Sequence, residues 1–392
     1  MTTTPDYDVI VVGARCAGSP TAMLLARRGH RVLLVDRATF PSDTLSTLVI
    51  HGHGVAALDR WGVLDGVLAT GCPTFDTYVF DFGPLVISGS PLPHPSFAIA
   101  PRRTVLDKLL VDTAADAGAD VREGVTLEDV VVERGAVVGI RAVDASGDRL
   151  DVTARIVVGA DGWNSFVARR VGAARHHEKP VLEHAFYTYW SGLPFDAFTT
   201  FIRGDRGIAA IPTNDGLTLV LVGCPYAQAA DFRRDVEASY LAAFEREPEL
   251  SKRLRSATRE ERIVGGGVPN FLRTPSGPGW VLVGDASYTR DPITAQGITH
   301  AFHSAEWCAD ALDHVLTGRR GFDDAMQQYR QVRDRAVLPL YELTTQLATL
   351  EPPPPELQAY LGSIAGNQAA MDAFVSVMAG TLSPAEGMPA PA

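Results

Sequence analysis

No stretch of about 18 consecutive apolar residues occurs in the chain, so nothing in it reads as a bilayer-spanning helix. The opening MTTTPDYD has neither the basic patch nor the apolar run of a secretory signal, and the expected location is cytoplasmic. Cysteine is sparse: Cys16, Cys72, Cys224 and Cys308 are scattered and never form C-x-x-C, which excludes a disulfide framework and a cysteine zinc site. Lysine is almost absent, with only Lys108, Lys179 and Lys252, so arginine carries nearly all the positive charge. The net charge of −11 argues against a general nucleic-acid binder, which needs basic surface to displace counterions. There is no internal repeat. What is present is the composition of a packed protein, 46% apolar and 21% charged over 392 residues. At about 150 residues per domain that length implies two to three units.

The first 36 residues are the most legible. Residues 8–12 are a short run rich in β-branched residues, read as a buried strand. The turn GARCAG, from Gly13 to Gly18, leads into a helix over 19–28 that Gly29 ends, and residues 31–35 form a second buried strand closed by Asp36. This is a β-α-β unit, hence parallel strands with a right-handed crossover. Loop and then helix are expected over 40–70, strands within 71–100, an amphipathic helix from Arg103 to Gly118, and short strands ending in a buried one at 155–158. Residues 184–226 read as antiparallel sheet, 229–257 as a helix, 280–283 as buried strand and 297–317 as helix. The C-terminal part reads as helical, broken by the prolines of residues 351–356.

Three places carry chemistry. At Gly13 and Gly18 a helix N-terminus offers unpaired N–H groups and the positive end of its dipole to a pyrophosphate. Arg15 stands where the middle glycine of G-x-G-x-x-G usually lies, so its side chain must turn aside or reach a phosphate or a neighbouring loop. Asp36, about 20 residues on, can accept hydrogen bonds from ribose hydroxyls and would repel a 2′-phosphate. The second place is GADGWNS, residues 159–165, where Asp161 leaves a buried strand between glycines. The third is GDAS, residues 284–287, leading through Asp291 and Pro292 to Gln296, Gly297 and Ile298. There Asp285 ends a buried strand, and a helix starting at Gly297 can stabilise negative charge on a bound group.

In this order and spacing the three motifs resemble the FAD-dependent group A flavoprotein monooxygenases, the family of para-hydroxybenzoate hydroxylase, which share their fold with geranylgeranyl reductases and flavin-dependent halogenases. The resemblance implies an α/β protein: a Rossmann-like FAD-binding domain of the glutathione-reductase type (residues 1–70, 101–177 and 276–335), interrupted by a mostly antiparallel substrate sheet (71–100 and 178–275), with a C-terminal helical segment (336–392). It implies that Gly13, Arg15 and Gly18 hold the pyrophosphate of a non-covalent FAD, that Asp36 and the adjoining Arg37 lie at the adenosine ribose, and that Arg103 of R-x-x-L lies near the phosphates. Asp161 corresponds to an acid tied in the family to FAD and pyridine nucleotide, Asp285 to the ribityl-binding acid, and Pro292, Gln296, Gly297 and Ile298 to the loop against the ring. Three departures stand out: Arg15 for glycine, Ala295 for glycine and Thr299 for asparagine.

The reaction the resemblance implies is hydroxylation. NAD(P)H, as co-substrate, reduces FAD, O₂ adds, and a flavin C4a-hydroperoxide oxygenates a small aromatic or polycyclic substrate; the cofactor carries the chemistry and the protein positions it. Halogenases of this fold use an early lysine and a W-x-W-x-I-P segment. Here no lysine precedes Lys108, and the nearest string, residues 189–194, is YWSGLP. A reductase of the geranylgeranyl type remains the main alternative, and a flavin-fold binding protein without catalysis the lesser one. No catalytic residue is assigned; Thr47, His51 and His300 are the candidates. His53, His303, His176 and His177 lack carboxylates at ligand spacing, so no metal is expected. Tyr187 and Tyr189, alternating onto one strand face, and Phe201 are candidates for lining a substrate pocket, with packing between domains as the competing reading. The oligomeric state is left open. The whole reading makes one spatial demand: the acids at 36, 161 and 285 must converge along a single cleft that ends at the helix start at 297.

Overall fold

The computed structural model describes residues 4–94 and 96–388. Its first sheet sets where the three motifs leave the fold. The strands run in the order Ser276–Gly277, Trp280–Leu282, Arg149–Gly159, Tyr7–Val12, Val32–Asp36, Asp120–Glu123, all parallel except the first pair. Register places Val12 opposite Gly159 and Val35, and Gly159 opposite Leu282. The glycine turn, the Asp161 loop, the Asp285 loop and Asp36 therefore leave the sheet from one row, at the carboxyl ends of neighbouring strands. In open α/β sheets that edge is where ligands bind.

Strand alternation divides the core. Val9, Val11, Leu34, Ile156 and Val158 face one way, against helices Gly18–Ala26, Arg103–Asp116 and Gly297–Leu316. Ile10, Val12, Leu33, Val35 and Val157 face the other way, against a meander of strands Thr126–Glu133, Ala136–Val143 and the first half of Arg149–Gly159. Each fully buried Val, Leu or Ile contributes roughly 1.5–3 kcal/mol, which makes this doubly covered sheet the rigid floor of the site.

The second sheet runs Thr258–Arg259, Glu183–Ser191, Thr218–Pro225, Arg206–Pro212, Phe198–Arg203, Tyr78–Asp81, Val86–Gly89. It is antiparallel apart from the Phe198–Arg203/Tyr78–Asp81 pair, which joins residues from the 71–100 segment to the later strands. One face, with Tyr78, Tyr187, Tyr189 and Phe198, packs on the C-terminal helices Pro355–Ile364 and Gln368–Met378 and on Ala295. The opposite face, with Phe186, Trp190, Ile208 and Val222, is closed by the segment 229–257. That segment is not the single helix expected. It is broken into Ala229–Phe232, Val236–Ala242, a 3-10 turn and Pro248–Ser256, because Asp235 caps a new helix at Ala238 and Pro248 can only begin one.

Candidate functional site

At the glycine turn, sterics dictate the residues. Gly13 has φ +104°, and a Cβ there would lie 2.5 Å from the carbonyl oxygen of Ala160. A Cβ on Gly18 would lie 1.7 Å from the carbonyl oxygen of Gly13. The first and second motifs thus touch through glycine. The first and third do so as well, since a Cβ on Gly284 would come within 2.7 Å of the Ala17 side chain. Asp36 braces the turn itself: its carboxylate accepts from Ala14 N–H at 2.7 Å and from Ala38 N–H at 2.8 Å, while the side chain stays half-exposed at the strand end. Arg37 beside it is exposed.

Arg15 does turn aside. Its guanidinium pairs with Asp107 and donates to the Ser42 carbonyl and hydroxyl and to the Asp43 carbonyl. Asp107, fully buried, also accepts three hydrogen bonds from Arg103 at 2.9–3.0 Å, and one from the Cys16 thiol at 3.4 Å. Two arginines on one carboxylate leave a net positive charge beside the phosphate turn. The sequence reading found Arg15 and Arg103 but missed Asp107; its signal was the four-residue spacing from Arg103 along one helix face.

The Asp161 carboxylate is committed to its own loop. It accepts from the Ser165 hydroxyl and from Phe166 and Val167 N–H, capping the short helix Phe166–Arg170. Arg273 ties this loop to the third motif, donating to the carbonyls of Trp163 and Ala286; burial lowers its guanidinium to about 10. Sequence reasoning missed Arg273 altogether.

Asp285 is solvent-exposed and yet set deep among surrounding residues, the combination a cleft wall produces. Burial raises its carboxyl to about 6, with Arg103 and Arg290 pulling it back. Pro292 begins a 3-10 turn capped by Asp291, and Ala295 takes the left-handed conformation, φ +52°, that a glycine would adopt without strain. Gln296 turns its side chain away from the cleft: the amide oxygen accepts from Arg290 at 3.1 Å and the amide nitrogen donates to the Met378 carbonyl at 2.8 Å. At this point only the Gln296 backbone faces the helix start. Gly297 itself is exposed, and a Cβ on it would meet nothing within 4 Å. The helix it opens has no side-chain cap and no acid in its first turn. Ile298 is buried in the core.

The catalytic candidates separate. His51 has both ring nitrogens engaged: Nε2 meets the Thr294 carbonyl at 3.2 Å and must donate, so Nδ1 accepts from the Tyr78 hydroxyl at 2.7 Å. Burial depresses its pKa to about 4. No nitrogen is left for a substrate, and its place is that of a strut between the loop at 294 and the second sheet. Thr299, in place of asparagine, accepts from His51 N–H and packs on Gly54. His300 holds the Tyr288 hydroxyl at 2.7 Å and lies 3.5 Å from Arg290; burial, then Arg290, holds it well below the usual histidine range. Thr47 is half-buried beside Leu48, which has φ +66° inside a tight turn closed by Val49 N–H to the Thr47 carbonyl. Such strain collects at functional sites.

Tyr187 and Tyr189 do share a face. Tyr187 accepts from Ser46 N–H, and Tyr189 lies under the Arg102 guanidinium at 3.9 Å, which also pairs with Glu261. Both rings are buried where the sheet meets the 42–47 loop. Phe201 is on the other side: register aligns Tyr187 with Leu221, Ala209 and Thr200, so Phe201 joins Ile208 and Val222 on the far face. The pocket reading of Phe201 is corrected by that alternation.

The geometry fits an elongated dinucleotide: a turn that admits no Cβ, net positive charge beside it, an acid in a cleft wall, and an open helix N-terminus at the far end. The chain matches the family model described as FAD binding domain over residues 6–342. It belongs to that family. It is an FAD-dependent oxidoreductase, as the motifs implied. Among its relatives are the menaquinone reductase of Mycolicibacterium smegmatis, 29% identical over 331 residues (78% of this chain, 76% of that protein), and the 6-methylpretetramide 4-monooxygenase of Streptomyces rimosus, 27% identical over 310 residues (76% and 73%). The flavin-dependent brominase Bmp2 superposes with a TM-score of 0.84 over 95% of this chain and 93% of that one, at 20% identity, which is a likeness of fold. Among the described residues no group of His, Cys, Asp and Glu could hold a metal ion, and no helix is long and apolar enough to cross a membrane.

Proposed function

We propose that the protein is an NAD(P)H-dependent monooxygenase that uses non-covalent FAD and O₂ to oxygenate a small aromatic or polycyclic substrate. The observation that carries this reading is the apposition of the loop at Ala295 to the aromatic face of the second sheet, where Tyr78, Tyr187, Tyr189 and Phe198, with Phe75 from the short strand Thr74–Phe75 beside it, form one buried apolar cluster with that loop. Such a face suits a flat, electron-rich substrate and keeps water from the reacting centre. When bound, FAD supplies electron transfer from the nicotinamide and activation of oxygen.

The chain's own residues do the rest. Gly13, Arg15 and Gly18 shape the pyrophosphate seat, Arg103 and Arg15 add its positive charge, and Asp36 and Arg37 meet the adenosine ribose. Asp161 caps the loop that walls the cleft beneath the nicotinamide approach. Asp285 accepts from ribityl hydroxyls, and Pro292, Gln296, Gly297 and Ile298 present the backbone to the ring.

The test is isotopic: with NAD(P)H, a panel of phenols and polycyclic aromatics and ¹⁸O₂, one labelled oxygen is expected in the product. A second reading, reduction of a carbon–carbon double bond, takes support from relatives named as reductases, among them the digeranylgeranylglycerophospholipid reductase of Methanosarcina acetivorans. It predicts a product that gains two hydrogens with no stoichiometric O₂ consumption, and that result would replace the first reading.

A further inference from the structure

The third motif contains a buried cation that the fold leaves incompletely paired. Arg290 is 8% exposed. Its Nη2 donates to Gln296 Oε1 at 3.1 Å and lies 3.5 Å from His300 Nε2, but the buried Nη1 has no partner. A buried guanidinium with an idle donor is costly unless something else compensates it.

The surrounding groups do not neutralise it. His51 and His300 are held neutral by burial. Tyr288, under the guanidinium at 5.7 Å, has its phenol held protonated by burial. Asp291, next in sequence, faces elsewhere: its Oδ1 accepts from Ile293 N–H, and its Oδ2 and Glu183 Oε2 are both buried without another partner. Those two carboxyls lie near each other, and burial raises both. Asp285 attracts Arg290 through space and offsets part of its charge, but the two make no ion-pair contact. Arg290 therefore adds its charge to the first turn of the helix Gly297–Leu316, flanking Gln296 and His300, where the uncapped N–H groups are already positive. Two positive features stacked at one open point oppose each other until an anion arrives.

We propose that Arg290 and the N-terminus of helix Gly297–Leu316 form a preorganised seat for negative charge on the ring of the bound flavin, so that Arg290 raises the flavin's affinity for electrons. The inference rests on the FAD reading above. Two electrons and one proton convert the oxidised ring to a singly charged anion, and the field of Arg290 favours that product over the neutral starting form. Arg290 acts through space from behind the cleft wall, as a positioning residue.

The experiment uses the FAD-loaded protein and two readouts other than turnover: the two-electron midpoint potential against a reference dye with dithionite as reductant, and titration with sulfite, which adds to oxidised flavin and leaves the ring anionic. Arg290→Gln is expected to weaken sulfite binding by about tenfold or more and to make the potential more negative. Arg290→Lys, which keeps the charge, should restore most of both. Gln296→Glu places a carboxylate against Arg290 and should move both readouts the same way as Arg290→Gln; it carries the test if Arg290→Gln does not retain FAD. Unchanged sulfite affinity and potential in either neutralising variant overturn the proposal, as does Arg290→Lys behaving like Arg290→Gln. A wild-type protein that takes up no FAD would refute the cofactor reading itself, a separate and recognisable result.

Discussion

The two ends of the cleft are built on different principles. At the glycine turn the backbone is excluded from every alternative: Gly13 and Gly18 have no room for a Cβ, Asp36 ties both sides, and the Arg15 and Arg103 guanidiniums are both fixed on Asp107, with one positive charge left over. At the other end strain and charge are stored. Ala295 is left-handed, Arg290 has an idle donor, and Glu183 and Asp291 face each other as buried acids. The first end needs rigidity to recognise a diphosphate. The second must respond to a change of charge in whatever it holds, and preorganised, uncompensated dipoles do that.

The comparison can be broken most sharply at Gly18. Gly18→Ala forces a methyl into the Gly13 carbonyl; it is expected to destabilise the protein by about 3 kcal/mol and to abolish FAD retention, read by denaturant unfolding and flavin absorbance. Wild-type stability and a yellow protein would show that the turn is not steric in origin. An intermediate effect is expected from the acid pair. Because burial raises Glu183 and Asp291, and Asp291 raises Glu183 further, their contribution to stability is complete at low pH and is lost as pH rises through those raised values. Glu183→Gln, which removes one of the two titrating carboxyls, should flatten that decline by about 1–2 kcal/mol. On the acid side His51, buried neutral with its pKa at about 4, makes stability fall as pH drops from about 6.5 toward that value. Parallel pH–stability curves for Glu183→Gln and the wild type would rule out the buried Glu183 carboxyl as the source of that decline. The smallest effect sharpens the contrast: Ala295→Gly relieves a left-handed alanine and should stabilise by about 0.5–1 kcal/mol, where the same change at a right-handed position would destabilise.

The rigid end was readable from sequence because its determinants are local. A β-branched run, a glycine turn, a helix and Asp36 lie within one β-α-β unit, and the register of parallel strands follows from them. The same locality made the Asp285 strand and the helix at 297 visible. The charged end was only half visible. Arg290 belonged to no motif and Asp291 read only as part of the loop at Pro292, since Asp291 turns toward Glu183, more than a hundred positions earlier in a different sheet. His51 read as a catalytic candidate until Tyr78 and the Thr294 carbonyl were seen to occupy both its nitrogens. Phe201 was misread because its strand's phase depends on pairing with Arg206–Pro212, which no local pattern specifies. The helix expected over 229–257 failed for a local reason that was available: Asp235 and Pro248 are start signals inside an apparently continuous pattern.

The claim beneath all of this is that the row of strand ends at Val12, Asp36, Gly159 and Leu282 holds one elongated flavin dinucleotide. Titrating purified protein with FAD, followed by flavin fluorescence, tests it most directly. Saturable binding of one FAD per chain, weakened by about 1–3 kcal/mol in Asp285→Ala, is the expected result; a folded protein that takes up no FAD would contradict it.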